Sequence, residues 1–367
     1  MFSFPAIDPI PLPAPVWLMK SLLVLTFALH IAAVQILLGG LMVVPGLNLL
    51  GRSSASRTMA LAFAKRLPVV MTYVINLGVP PLLFAQVLYG RALYTSSVVI
   101  GLYWILVIPL LMLCYWLLYR FSARMEEGKT AWWSSGFALL IAMSIAKIYV
   151  SNMTLMVRPE AWQAMYSAGQ SGTSLPSGDP SVMWRWLMAL AGGPLFAGIW
   201  ALWLASRGTF NAADKRFLTR LGGSLAAGGA LLQLVFAAAI YRVQPAAVLR
   251  TLSLNPVYDY ARYAWIAAIV LAAVLGALAF LRPALGAIGS WAGVAVAFLI
   301  VASLALYRDG VRDATLLSKG FDVWQLPVVT NWSVVVIFLV LFVAGLAAIG
   351  WLISVVARAT KVMESVA

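Results

Sequence analysis

His30 is the single histidine of this chain, and it stands in the middle of an apolar run, LTFALHIAAVQILLGG. A neutral imidazole in such a place offers two chemistries. It can ligate a metal such as haem iron, or it can hydrogen-bond a neighbouring helix. Gln35, five residues on, falls on another face of the same helix and reads as a packing residue. Gln86 and Asn152 carry amides that could hold a quinone carbonyl or a water, although bonding between helices is the commoner use of such groups. Lys147, in SIAKIYVSNMTLM, is either a specific polar site or a side chain whose stem carries the ammonium to the headgroups. Tyr241-Arg242, Arg262 and Tyr307-Arg308-Asp309 fall toward the ends of apolar runs. They could form a rim for a soluble partner, but anchoring of helix ends is the more frequent role. One cysteine, Cys114, excludes internal disulfides and cysteine-held clusters. One histidine excludes a haem held between two histidines of this chain. Motifs for phosphate loops, zinc sites, hydrolytic triads and nucleic-acid modules are absent.

The elements that must position these residues are transmembrane helices. Of 367 residues, 63% are hydrophobic and only 10% charged, with a mean hydropathy of +0.96. Soluble domains carry about 25% charged residues. The net charge of +14 then fits anionic lipid headgroups and a positive-inside bias, not nucleic acid. Fifteen Trp and 13 Tyr suit the interfacial belts. Nine spans are expected, at about 17–47, 67–90, 96–120, 131–152, 182–205, 218–240, 261–281, 285–306 and 332–357, forming one all-α transmembrane domain over 1–367. Basic residues gather in alternate loops: Arg52, Arg57, Lys65 and Arg66; Arg120, Arg124 and Lys129; Arg207, Lys215 and Arg216; Arg282; and the tail residues Arg358 and Lys361. On the other side the basic residues are offset by Glu160, Asp179, Asp259, Asp309, Asp313 and Asp322. This alternation places the N-terminus outside and the C-terminus in the cytoplasm of a bacterial inner membrane. Residues 1–15 lack the basic stretch of a cleavable leader.

The hairpin from Leu67 to Tyr119 carries Asn76, a Pro80-Pro81 pair and Gln86 in its first arm. The prolines should kink that helix, and the freed carbonyls need partners. The hairpin is therefore expected to turn at 90–95 and to face protein or a cofactor, with the other helices packed around it. Gly222-Gly223, Gly228-Gly229 and Gly192-Gly193 promise close helix contact. No internal repeat supports an inverted-repeat transporter.

The order of these features resembles subunit I of cytochrome bd quinol oxidase over most of the chain. FALHIAAVQILLG matches the first helix, with His30 at the place of a haem-ligating histidine. VINLGVPPLLFAQVLYG is similar to the second helix, with Gln86 where the family has Glu; SNMTLMVRP is similar to the end of the fourth. PSVMWRWLMAL places Met188 at the fifth-helix histidine, and ADKRFLTRLGGSLAAGGALLQLV is similar to the sixth helix. The departures are as informative. After Arg262, Tyr263 and Ala264 stand where the family has its haem-ligating methionine. The third-helix glutamate falls near Ile100, and the eighth-helix glutamate falls in AVAFLIVASLALY, which has no carboxylate. The family's quinol loop has shrunk to about 241–260, and YRDGVRD replaces its Gly-Arg-Gln-Pro-Trp signature.

The resemblance thus implies the scaffold without the oxygen-reducing chemistry. His30 could hold one five-coordinate haem b, or a six-coordinate one with Met188 or Met153. A quinone or lipid could fill the space of the lost haems, with Gln86, Asn152 and Arg262 as polar contacts. The expected role is a membrane subunit of a respiratory electron-transfer complex, anchoring other membrane subunits and periplasmic multihaem or c-type cytochrome partners. A haem-free scaffold and a transporter or channel are the alternatives.

Overall fold

The computed structural model describes residues 4, 10–51, 54–176, 178–207, 210–285 and 289–366. Of the basic residues counted above, Arg52 lies outside that set, as do most of residues 1–9, on which the leader reading rests. The helices are α1 (Val16–Leu50), α2 (Ser54–Val99), α3 (Gly101–Glu126), α4 (Trp132–Leu155), α5 (Pro159–Ala168), α6 (Pro180–Arg207), α7 (Ala212–Val243), α8 (Ala246–Leu254), α9 (Pro256–Leu281), α10 (Gly289–Leu317) and α11 (Trp332–Val366). Among the described residues, nine of them are long and apolar enough to cross a membrane; α5 and α8 are short helices in the connections. A helix satisfies its own backbone, which is why apolar runs of this length settle as helices in lipid.

The N-terminal segment checks the parity of this count. Leu12 pairs in parallel with Val328, its N–H donating to Pro327 O at 2.8 Å while its carbonyl accepts from Val329 N at 3.0 Å. Asn331 N reaches Pro13 O at 3.0 Å. The starts of α1 and α11 are thereby tied at one end of the bundle, as nine alternating spans require. That end, called here the N-terminal face, also holds α5, α8, the start of α6 and the end of α10.

The bundle is organised around α1 and α6, not around the α2–α3 hairpin. Half of the apolar window of α1 and 61% of that of α6 are buried, against 22% in both α2 and α3 and 6% in α11. Val79, Leu83, Ile105, Ile108 and Met112 point outward, and Asn76 is exposed with its amide bonded back to Thr72 O at 2.9 Å. The hairpin thus lies at the periphery. Its turn also moves: residues 90–95 are helical, and the chain leaves the helix at Ile100. Thr95, expected in the turn, and Ser96, expected to open the next span, bond back to Arg91 O and Leu93 O and let the helix continue. The break in helical φ/ψ within α2 falls at Tyr89 (φ −128°, ψ 22°), beyond the proline pair.

Small residues set the closest contacts, as expected. A Cβ on Gly222 of α7 would lie 2.8 Å from Gly198 O of α6, and one on Gly223 would lie 2.5 Å from Gly276 O of α9. The backbones touch there, which gives dispersion contact where lipid leaves no hydrophobic drive.

Candidate functional site

The most concentrated chemistry in the fold lies at the N-terminal face, between α1, α2, α9 and α10. Residues 307–317, read from sequence as the start of a loop, continue α10 for about three more turns. Asp309, Arg312 and Asp313 stand at i, i+3 and i+4 and therefore share one helical face. Lys20, in the second turn of α1, places Nζ 2.5 Å from Asp309 Oδ2 and 2.5 Å from Asp313 Oδ2. Its third proton goes to Tyr89 OH at 2.7 Å, and that hydroxyl donates to Asp313 Oδ1 at 2.5 Å. Arg312 closes the other side, pairing with Asp309 Oδ1 and lying 4.2 Å from the centroid of the Tyr89 ring. Tyr258 of α9 reaches Asp313 Oδ2 at 3.4 Å because its ring lies over Gly310, where any Cβ would strike Tyr258 Cγ at 2.5 Å.

The knot is electrically balanced: two cations face two carboxylates. The Lys20 and Asp309 side chains are only 5% and 4% exposed. Charges so placed are costly unless paired and fully hydrogen-bonded, and here the ammonium spends all three protons. The Tyr89 hydroxyl, between an ammonium and a carboxylate, gives a continuous hydrogen-bonded path from Lys20 to Asp313. Chemically the arrangement can lock four helices together or hold and pass a proton among Lys20, Tyr89 and the two carboxylates. Asp309 and Asp313 lie just beyond AVAFLIVASLALY on the same helix.

His30 lies elsewhere, between α1 and α2. Its Nδ1 is 3.1 Å from Val74 O. A carbonyl can only accept, so Nδ1 carries the proton and Nε2 keeps its lone pair. The ring sits against Gly78, where a Cβ would be 2.9 Å from Cε1 and 3.1 Å from Nδ1. Phe27 and Ile31, which flank His30 on α1, belong to an apolar cluster with Met188 of α6. Met153 of α4 belongs to a different cluster, around Tyr89 and Leu316. The residues present fit a haem ligand in one respect: the tautomer leaves Nε2 free, as a ligating imidazole needs. Among the described residues no group of three or more His, Cys, Asp or Glu converges as a metal cluster.

The remaining expected site residues are dispersed. Gln86 is half-buried, and no hydrogen bond of its amide is found among the described residues. Asn152 is fully buried; its Nδ2 donates to Ser97 Oγ at 3.0 Å, joining α4 to α2, and its Oδ1 accepts nothing among the described residues. Arg262 pairs with Asp259 at 2.5 Å on its own helix, which is the anchoring role. Lys147 lies 5.0 Å from the centroid of the Trp186 ring. Gln35 donates to Ala189 O at 3.0 Å, tying α1 to α6 as a packing residue does.

The rim of the N-terminal face is clamped by its own ion pairs. Arg158 Nη1 meets Asp179 Oδ2 at 2.7 Å, and Glu160 joins Arg158 and Lys319. Asp179 also caps α6, its Oδ1 accepting from Ser181 N at 2.7 Å. Burial alone would raise the Asp179 carboxyl, but the bonds from Ser181 and Arg158 outweigh it and hold it below its ordinary value.

Compared with protein-family models and with curated proteins, the chain matches none. The likeness to the oxidase subunit rests on the collinear motifs. Sequence reading missed Lys20, Tyr89, Arg312 and Asp313 as a site. The available signal was D-x-x-R-D at residues 309–313, a pattern that puts all three charges on one helical face.

Proposed function

We propose that this chain is the membrane-embedded subunit of a respiratory electron-transfer complex, on a scaffold like that of cytochrome bd subunit I, and that it holds one haem b through His30. The observation that carries the reading is the imidazole itself: Val74 O takes the Nδ1 proton and leaves Nε2 available in an apolar setting. A haem bound there would supply a one-electron carrier. The protein's own part is to orient the ring through Val74, admit it beside Gly78 and exclude water with Phe27 and Ile31. Met188 is the better placed of the two methionines for a sixth ligand, since it shares that apolar cluster. Gln86, with an uncommitted amide, is the group left for a quinone. The bias of basic residues toward the opposite loops supports an extracytoplasmic N-terminal face in a bacterial inner membrane, where c-type or multihaem partners would dock.

A second reading, a haem-free scaffold, is favoured by the ionic knot, which joins four helices without any ligand. A reduced-minus-oxidised spectrum of the native assembly and of the chain expressed alone separates the two. A b-type signal in the lone chain that disappears in His30→Ala supports the carrier. A colourless lone chain with an unchanged assembly in His30→Ala leaves the scaffold.

A further inference from the structure

Arg185 and Arg308 are two cations at the N-terminal face that neither the ionic knot nor the rim ion pairs use. Arg185 lies on α6 and Arg308 on α10, two helices that pack against each other and against α1. Arg185 stands one turn before Met188, and Arg308 one turn beyond Leu304 and Ala305, and all three of these apolar residues pack in one cluster with Phe27. The Arg308 guanidinium lies 4.4 Å from the centroid of the Phe27 ring. The two arginines are within electrostatic range of each other, and Arg308 is within range of His30. Both are half-buried. Among the described residues neither has a hydrogen bond or an ion pair, and Arg185 Nε is buried with no acceptor.

The carboxylates nearby are already engaged. Asp309 is shared by Lys20 and Arg312, and Asp313 by Lys20, Tyr89 and Tyr258. Asp179 is within electrostatic range of Arg185, but its oxygens are held by Ser181 N and Arg158. At the ends of α1, α6 and α10 that meet the N-terminal face, four cations (Lys20, Arg185, Arg308 and Arg312) therefore stand against two carboxylates. Two unpaired guanidiniums at membrane depth are expensive, and their planar forks match one kind of partner, an oxyanion held by two parallel hydrogen bonds.

We propose that Arg185 and Arg308 form a binding site for the oxyanion of a membrane-borne amphiphile, entering between α1, α6 and α10 beside Phe27. The chemistry is shared by a lipid phosphate and by the carboxylates of an amphiphilic cofactor. The site stands whether or not His30 ligates haem.

The test uses the full chain, purified and stripped of lipid, with two matched pairs of probes. One pair is phosphatidylglycerol against phosphatidylcholine, read as a shift in thermal midpoint. The other is haem b against its dimethyl ester, read as binding by absorbance. Charged hydrogen bonds of this kind predict about a tenfold to hundredfold preference for the anionic member of at least one pair. Arg185→Gln with Arg308→Gln should abolish that preference, and the lysine pair at the same positions should keep part of it. Preference in the first pair assigns a lipid phosphate; preference in the second assigns a carboxylate. With no ligand added, Arg308→Gln alone should leave the thermal midpoint unchanged or raise it, because it removes an unpaired charge. Equal binding of both members in both pairs overturns the proposal, as does a double variant that discriminates as wild type does. If the double variant does not assemble, native mass spectrometry of the wild type with each probe decides between the same outcomes.

Discussion

Lys20 and Asp313 are separated by 293 residues, yet Nζ and Oδ2 meet at 2.5 Å. This pair closes the first span onto the eighth, and the same ammonium bridges Asp309. Lys20→Met would leave two carboxylates with Arg312 as their one remaining cation. Breaking a buried pair by removing one partner costs about 3–5 kcal/mol. The expected result is a large drop in thermal midpoint in detergent, partly restored by adding Asp313→Asn. A Lys20→Met protein as stable as wild type would show that the knot is not what holds these helices.

Tyr89→Phe keeps the ring beneath Arg312 and removes only the hydroxyl between Lys20 and Asp313. The loss should be about 1–3 kcal/mol. Because the hydroxyl serves both partners, its effect in a Lys20→Met background should be smaller than alone. Thermal or denaturant unfolding of the four proteins of this cycle gives the coupling directly.

Gly78→Ala places a methyl 2.9 Å from His30 Cε1 and must push the imidazole off Val74. A lower thermal midpoint is expected, together with loss of any b-type signal in the assembled complex. Gly46→Ala is the control, since nothing lies within 4 Å of its Cβ position. There, helix propensity alone should act and stabilise by up to about 1 kcal/mol.

Asp179 links stability to pH. Its carboxyl is held below the unfolded value, so its contribution is fully present above the unfolded pKa of about 3.9 and fades as pH falls through the lower folded value. Wild type should therefore lose thermal stability on acidification from about pH 5 to pH 3. Asp179→Asn should start up to about 1 kcal/mol lower at neutral pH, from loss of the ion pair with Arg158, and show a flatter acid limb. Parallel acid limbs in the two proteins would remove Asp179 from the account.

The spans were legible because each apolar run exceeds the bilayer requirement and the basic loops alternate. His30 stood out because it is unique and sits mid-run. The knot was not legible, because its parts lie at the edges of spans. Lys20 falls just inside the first run, and Asp309 and Asp313 fall past the apparent end of the eighth, where charges read as loop. No local pattern connects Lys20 to residues almost three hundred positions away; only the folded bundle does. The break in α2 was not legible for a related reason: the non-helical residue is Tyr89, whose side chain is gripped by Lys20 and Asp313.

Among the described residues, α11 touches the rest of the bundle near its start, through Val335, Leu339 and the edge-on contact of Phe338 with Phe84. Everything the knot needs has been made once Asp313 has left the ribosome, some twenty residues before α11 begins. The first eight spans can then latch while the ninth is still being synthesised. α11 is held at the edge of that bundle by the pairing of Leu12 with the segment before it and by the contacts of Val335, Phe338 and Leu339. The polar bonds of the knot thus draw on α1, α2, α9 and α10 alone, and a protein truncated before α11 should still be able to form them.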